Sequence, residues 1–396
     1  MPTRSLPDSA PLGTPLPLPT SAVDATPASA TPATVSDILA ARGAPSRVFT
    51  VVDGTLWSIA SSGRATRLFT PRAGSAIVAI DPDPSGQQVA VLLSSAAPDR
   101  QIDEVLILAS DGETVGRLAN LEVVPATPGP PQPVSVAEAI DWSPQGDRAL
   151  VSFRNGAIFA LPLNDDADQM ELIGRVGAGT VVNPAWSPTG ERVGFISVTD
   201  SQRARSLSVL DVNSHRVDTL IVPTDGRFVV DFAWMPDGNT LLFTEGGELG
   251  GAVGGIDLWR IDADGANREL VVSAGTVAPV ARVTNVRPSS DGRSVAYSVQ
   301  IPGPDGPRAD SVWVRDLESH LGFKIALPSV DSVDDIWWTD QGLVIAVTTQ
   351  GNPGERTGAQ ELLEVRHDGQ VRVLWAAPVP AGTPISGTPA ATPQPI

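Results

Sequence analysis

The chain carries few side chains of the kinds that do chemistry, and they are scattered. Its three histidines are His215, His320 and His367. A zinc-hydrolase helix needs two imidazoles one turn apart with a glutamate between them, and no His-Glu-x-x-His run occurs. Cysteine is absent, which excludes disulfides, thiolate nucleophiles and thiolate-held metals. A hydrolase serine sits in a Gly-x-Ser-x-Gly elbow, and none is present. A phosphate-cradling loop ends in Gly-Lys, whereas the single lysine, Lys324, follows Phe323. Asp81-Pro82-Asp83-Pro84-Ser85-Gly86 opens like a calcium loop, but the twelfth position, where a bidentate glutamate would close the cage, is Leu92. No catalytic residue, cofactor or metal site is therefore expected.

What does recur is a turn. Asp83-Pro84-Ser85-Gly86 is followed by Trp142-Ser143-Pro144-Gln145-Gly146, Trp186-Ser187-Pro188-Thr189-Gly190 and Trp234-Met235-Pro236-Asp237-Gly238. Ser290-Asp291-Gly292 and Trp338-Thr339-Asp340-Gln341-Gly342 complete the series, with gaps of 60, 44, 48, 54 and 50 residues between the glycines. Proline presets φ and glycine accepts φ > 0, which is tight-hairpin chemistry. A short strand leads into each turn, a β-branched strand such as Val193–Ser197 leaves it, and two more follow. Periods of this length with four strands each read as the blades of a β-propeller. Upstream, Val48–Val52, Thr55–Ile59 and Ala65–Phe69 read as the last three strands of one more blade whose innermost strand is missing. The fold class is thus all-β: a propeller of four-stranded antiparallel blades. Six full repeats and one partial favour seven blades, with six or eight as the alternatives.

A single blade has two apolar faces and cannot bury both, so the blades must stack in a ring. Trp142, Trp186, Trp234 and Trp338 then fall at equivalent places between blades, where burying each contributes ~1.5–3 kcal/mol or more. The histidines fall in turns of different blades, and Gly246–Gly255 reads as a flexible Gly-rich loop.

Two features break the repeat. Seven residues before the turn glycines stand Ala79, Ala139, Asn183, Asp231, Asn285 and Asp335. The last four are polar on otherwise apolar inner strands, and are expected to line the central channel. Segments joining second to third strands are long: Ser94–Asp103, Thr199–Arg205, Glu245–Ile256, Gln300–Asp310 and Thr348–Gln360. Together with the Leu121–Ala137 connection they share one face, while the opposite face has compact turns. Loops on a rigid scaffold are where binding residues concentrate. Glu245, Glu248, Arg308, Glu355 and Arg356 are the candidate partner-binding residues on that face.

The net charge of −18 excludes a general nucleic-acid binder, which needs a basic surface, and an anionic lipid surface as partner. Hydrophobic residues make up 41%, enough for a core. No run is long and apolar enough for a transmembrane helix. Residues 1–44 and 379–396 are rich in Pro, Thr and Ala and are expected to be disordered linkers around a propeller at 45–378, with a weak helical pattern near Val35–Arg42.

The turn and its following strand, best seen in Trp186-Ser187-Pro188-Thr189-Gly190-Glu191-Arg192-Val193-Gly194-Phe195, resemble the TolB-like, WD40-like (PD40) propeller repeats. The resemblance spans roughly residues 47–376. Ser290-Asp291-Gly292 departs from it by lacking Trp and Pro, and Asp81-Pro82-Asp83-Pro84 by lacking Trp. The family includes envelope scaffolds and the propellers of peptidases; no peptidase domain fits in the 20 or so residues that follow. The expected function is a non-enzymatic, monomeric scaffold that binds a protein or peptide through its long-loop face, in the bacterial cell envelope. The N-terminus has no apolar signal core, so that location presumes a tether upstream of Met1; a cytoplasmic chain is the alternative. The alternative function is a lactonase-like or carbohydrate-active enzyme with its site over the channel and Asp231 and Asp335 as its carboxylates.

Overall fold

A computed structural model describes residues 46–377, apart from 97–100, 119–135, 164–169, 178, 200–204, 225, 250–251, 277–279, 304–305, 328–329 and 350–359. Both Pro-rich tails and the 35–42 segment lie outside the described residues. Runs rich in Val, Ile, Leu and aromatic residues, cut by Gly, Pro and Asp turns, fold as 27 strands within them. Sheet I has three: β1 (Arg47–Val52), β2 (Thr55–Ala60) and β3 (Ala65–Phe69). Sheet II comprises β4 (Ser75–Pro82), β5 (Gln88–Ala96), β6 (Gln101–Ala109) and β7 (Thr114–Leu118). Sheet III comprises β8 (Ala137–Trp142), β9 (Arg148–Phe153), β10 (Ala157–Pro162) and β11 (Glu171–Arg175). Sheet IV comprises β12 (Thr180–Trp186), β13 (Arg192–Val198), β14 (Arg205–Asp211) and β15 (Arg216–Ile221). Sheet V comprises β16 (Arg227–Trp234), β17 (Thr240–Leu249), β18 (Ala252–Asp262) and β19 (Glu269–Val272). Sheet VI comprises β20 (Arg282–Pro288), β21 (Ser294–Gly303), β22 (Gly306–Asp316) and β23 (Gly322–Ala326). Sheet VII comprises β24 (Val330–Thr339), β25 (Gly342–Thr349), β26 (Gln360–Arg366) and β27 (Val371–Ala376). Neighbours within a sheet are antiparallel, and sheets V and VI also meet through one parallel bridge, Ile256 to Arg282.

The middle strands are apolar on both faces, and the two faces serve different neighbours. On β5, Val89, Val91 and Leu93 pack with Phe49 and Leu56 of sheet I, while Ala90 and Leu92 pack with Trp142 and Val151 of sheet III. The pattern repeats between sheets III and IV through Ile158 and Phe195, and between IV and V through Leu207 and Phe243. It continues between V and VI through Leu242 and Val295. Finally Val344 and Leu362 of sheet VII pack on Val48 and Ile59 of sheet I, so the succession of sheets returns to its start.

The recurring turn has a definite chemistry. Gly86, Gly146, Gly190, Gly238 and Gly292 all have φ between 68° and 77°, and each donates its N–H to the carbonyl three residues back. The motif serine is buried beneath the turn: the hydroxyls of Ser143, Ser187 and Ser289 accept the N–H of Arg148, Arg192 and Ser294 at 3.0–3.2 Å. The last repeat differs from its sequence alignment. Thr339 pairs directly with Gly342, leaving a two-residue turn, Asp340-Gln341.

Trp142, Trp186, Trp234 and Trp338 are each 6–7% exposed. The indole N–H of Trp234 donates to Ala185 O at 3.1 Å and that of Trp338 to Arg287 O at 2.9 Å, both in the preceding sheet. Those of Trp142 and Trp186 are buried without a partner among the described residues. Trp234→Ala is expected to cost about 3–5 kcal/mol in urea unfolding. Trp234→Phe should cost about 1 kcal/mol more than Trp186→Phe, because only the former removes a hydrogen bond. Equal costs for the two Phe variants would rule out that contribution.

Candidate functional site

The inner strands β4, β8, β12, β16 and β20 each contain one break in register against the second strand of their sheet, and β24 contains two. These breaks are bulges, and the positions seven before the turn glycine fall on them. Asn183 and Asn285 hold φ of +48° and +51° there, a left-handed geometry that Asn accepts more readily than β-branched residues. A bulge re-aims the residues that follow it, and three of the strands then reach across to the next sheet with a carboxylate.

Asp81 on β4 accepts the main-chain N–H of Trp142 at 2.7 Å. Asp141 on β8 accepts that of Trp186 at 2.6 Å. Asp231 on β16 accepts that of Val286 at 3.1 Å. Beyond it Arg287 lies between two carboxylates, 2.8 Å from Asp335 and 3.9 Å from Asp231. Asn285 donates to Val333 O at 2.9 Å and to Ser298 Oγ at 3.2 Å. Three of the four polar residues singled out in the sequence are therefore joined from sheet to sheet. Asn183 is exposed on β12.

Sequence spacing missed Asp81, Asp141 and Arg287. The two aspartates stand five rather than seven residues before their glycines; their signal is an Asp immediately preceding a turn Trp or Pro. Burial raises the carboxyl of Asp141 to about 7, against the lowering effect of the Trp186 N–H. Burial, with the nearby Asp141 charge second, raises Asp81 well above the usual carboxylate range. Burial also raises Asp231, opposed by Arg287. Among the described residues no group of three or more His, Asp or Glu could hold a metal ion. His215, His320 and His367 lie in the turns that follow β14, β22 and β26.

The segments expected as loops are resolved differently. Where a loop was expected over Gly246–Gly255, β17 and β18 continue as paired strands, to Leu249 on one side and from Ala252 on the other. The glycines there are used for close packing, since a Cβ on Gly246 would stand 2.6 Å from Ile256 Cγ1. The β21–β22 hairpin likewise runs out to Gly303 and Gly306. Glu245 is not displayed to solvent. It lies within β17, 3% exposed, holding Arg268 at 2.5 Å and Arg227 at 3.1 Å. Arg268 in turn stacks 4.3 Å above Trp259. Glu248 lies opposite Val253 on the β17–β18 hairpin, and Arg308 opposite Ile301 on β22. Glu355 and Arg356 lie outside the described residues.

A cavity of about 360 Å³ lies where sheets I, II and VII meet. Its wall includes Phe49 and Val51 of β1, Val78 of β4, and Asp334, Asp335 and Trp337 of β24.

Comparison with known structures agrees with this architecture. Oligogalacturonate lyase in complex with manganese superposes with a TM-score of 0.56 at 13% identity, over 82% of this chain and 83% of the lyase. A puromycin-hydrolyzing peptidase of Mycobacterium tuberculosis gives 0.56 at 15% identity, over 87% of this chain and 55% of the peptidase. TolB from Acinetobacter baumannii gives 0.46 at 15% identity, over 83% of this chain and 78% of TolB. The chain has a β-propeller repeat fold. No protein-family description matches the chain, and no curated protein matches it. At these identities the likeness concerns the propeller alone. No helix among the described residues is long and apolar enough to cross a membrane.

The raised carboxyls carry a pH signature. A folded state that holds the Asp81 and Asp141 protons more tightly than the unfolded chain loses relative stability as pH rises above the ordinary carboxylate value, up to about 7 for the share that Asp141 contributes. The urea midpoint of the native chain should fall between pH 5 and pH 8. Asp141→Asn should reduce that fall, and Asp81→Asn combined with it should reduce it further. An unchanged pH slope in the double variant would show that these groups do not titrate as described.

Proposed function

We propose that the chain is a non-enzymatic propeller scaffold that binds a protein or peptide partner through the face bearing its long hairpins. The observation that carries this reading is the asymmetry between the two rims. Five of the repeated turns close within a few residues, whereas β17–β18 and β21–β22 project as extended hairpins from the other side. The inner-strand carboxylates that an enzyme would need over the channel already accept main-chain N–H groups or hold Arg287. A monomer in the cell envelope, tethered through its Pro-rich N-terminal segment, suits the acidic surface and the absence of cysteine.

A second reading, a carbohydrate-active enzyme, draws on the superposition with oligogalacturonate lyase. The two are separable. Joining Gly246 to Ile256, and Gln300 to Ala309, each through Asn-Gly, shortens the hairpins at paired positions. Each change should leave the thermal midpoint within a few degrees and weaken binding of a partner recovered by affinity capture at least tenfold. Binding that survives both changes would refute the choice of face. Calorimetric titration with Mn²⁺ should show no tight site; sub-micromolar binding lost in Asp231→Ala would favour the enzyme.

A further inference from the structure

We propose that the inner edge of sheet I, unpaired among the described residues, is a strand-addition site that takes an extended, basic peptide segment of a partner protein; this rests on the peptide-binding reading above and adds a second contact to the hairpin face. Strand β1 occupies the second-strand place of its sheet. In sheets II to VI the residue after the third strand donates its N–H to the residue just past the turn glycine, as Ser110 does to Gln87 and Val212 to Glu191. In sheet I the matching bond runs from Ser61 to Ser46. The first strand of that sheet is the one element with no counterpart among the described residues.

The bond from Ser61 to Ser46 also fixes which main-chain groups are free. In an antiparallel pair, hydrogen-bonded and non-bonded residue pairs alternate. Ser46, Val48, Thr50 and Val52 therefore bond to β2, and the N–H and C=O of Arg47, Phe49 and Val51 point the other way. No described residue pairs with them. Three donors and three acceptors thus line one edge, in an unbroken register from Arg47 to Val52.

The adjoining walls are exposed in the way a missing strand would leave them. The inner strand β4 has no buried residue along its length, and Val78 is 40% exposed. Every other inner strand has at least two buried residues. The cavity of about 360 Å³ occupies this position, within the ~300–1,000 Å³ range of ligand sites. Of the carboxylates in its described lining, Asp335 holds Arg287 and Asp81 accepts the Trp142 N–H, which leaves Asp334 and Glu361 to set the charge; the lining has no Lys, Arg or His.

An extended segment running antiparallel to β1 would satisfy the outward groups of Arg47, Phe49 and Val51. Its side chains alternate between two walls. On one wall β4 offers Ile77 and Val78; on the other β24 offers Trp337 beside Asp334, a partly aromatic, acidic surface suited to an Arg or Lys side chain. Charge complementarity thus selects a basic segment. The chain's own Thr34–Pro45 stretch, which carries Asp37, is the competing occupant.

The test uses the full chain and the probe acetyl-Thr-Val-Arg-Val-Thr-amide. Calorimetry should detect its binding. Replacing Arg by Glu, or N-methylating alternate residues of the peptide, should weaken it at least tenfold. Val51→Pro removes one outward N–H and leaves the β1–β2 ladder intact; it too should weaken binding at least tenfold, and Asp334→Asn a few-fold. The N-methylated peptide leaves the protein untouched, so the test stands even if Val51→Pro fails to fold. Hydrogen exchange over residues 47–52 should be fast in the free chain and slowed by the peptide. Protection already present without peptide would assign the slot to the chain's own segment and overturn the proposal. So would an absence of binding, or binding indifferent to N-methylation. If shortening the hairpins abolishes partner capture while Val51→Pro does not, the hairpin-face reading stands and this site falls.

Discussion

A four-stranded sheet that is apolar on both faces is not stable alone, and everything else in this molecule follows from that constraint. Each sheet must give one face to the sheet before it and one to the sheet after. Strand β5 shows the requirement within five residues, with Val89, Val91 and Leu93 turned to one neighbour and Ala90 and Leu92 to the other. A succession of such sheets ends with two unburied faces unless the last meets the first. Here Val344 and Leu362 meet Val48 and Ile59. Closure supplies the burial that no single repeat can achieve.

Stacking fixes the faces, but it leaves the convergence of inner strands to polar chemistry. Antiparallel pairing satisfies the main chain within a sheet and does nothing for groups directed between sheets. Asp81, Asp141 and Asp231 meet that need by accepting N–H groups from the following sheet. Desolvating a carboxylate is costly, and the raised carboxyls of all three record it. Between sheets V, VI and VII the cost is offset by charge, since Arg287 serves both Asp231 and Asp335. Between II, III and IV no cation among the described residues is positioned this way, and protonation is the remaining relief. The same topology thus holds its strands together with two electrostatic solutions.

The propeller was legible in the sequence because its signal is repeated. One Trp-Ser-Pro-x-Gly turn could be chance; several at 44–60-residue spacing, each followed by a β-branched strand, constrain the fold. The missing strand of sheet I was legible for the same reason, as a gap in a series. The site residues were not, because their roles depend on neighbours one repeat away. Glu245 read as a loop residue because glycines follow it. Those glycines instead allow β17 and β18 to approach closely, and two arginines hold the carboxylate inside. Asn183 and Asn285 were singled out for polarity, but the bulge gives their position its meaning, through a backbone geometry that composition does not reveal.

Natural sheets protect exposed edges with charged side chains, proline, bulges or short strands. Of these, the inward edge of β1 has only Arg47, at its start. Its sequence is Arg-Val-Phe-Thr-Val-Val, its register with β2 is unbroken, and its outward main-chain groups are regularly spaced. An edge of this kind on an outer surface would invite pairing with any extended chain. Here it faces a recess between β4 and β24, so that only a segment able to enter between two acidic and apolar walls can reach it. Recession takes the place of the usual protective residues, and it does so selectively. The walls that keep adventitious strands away also set the chemistry of the strand that is admitted.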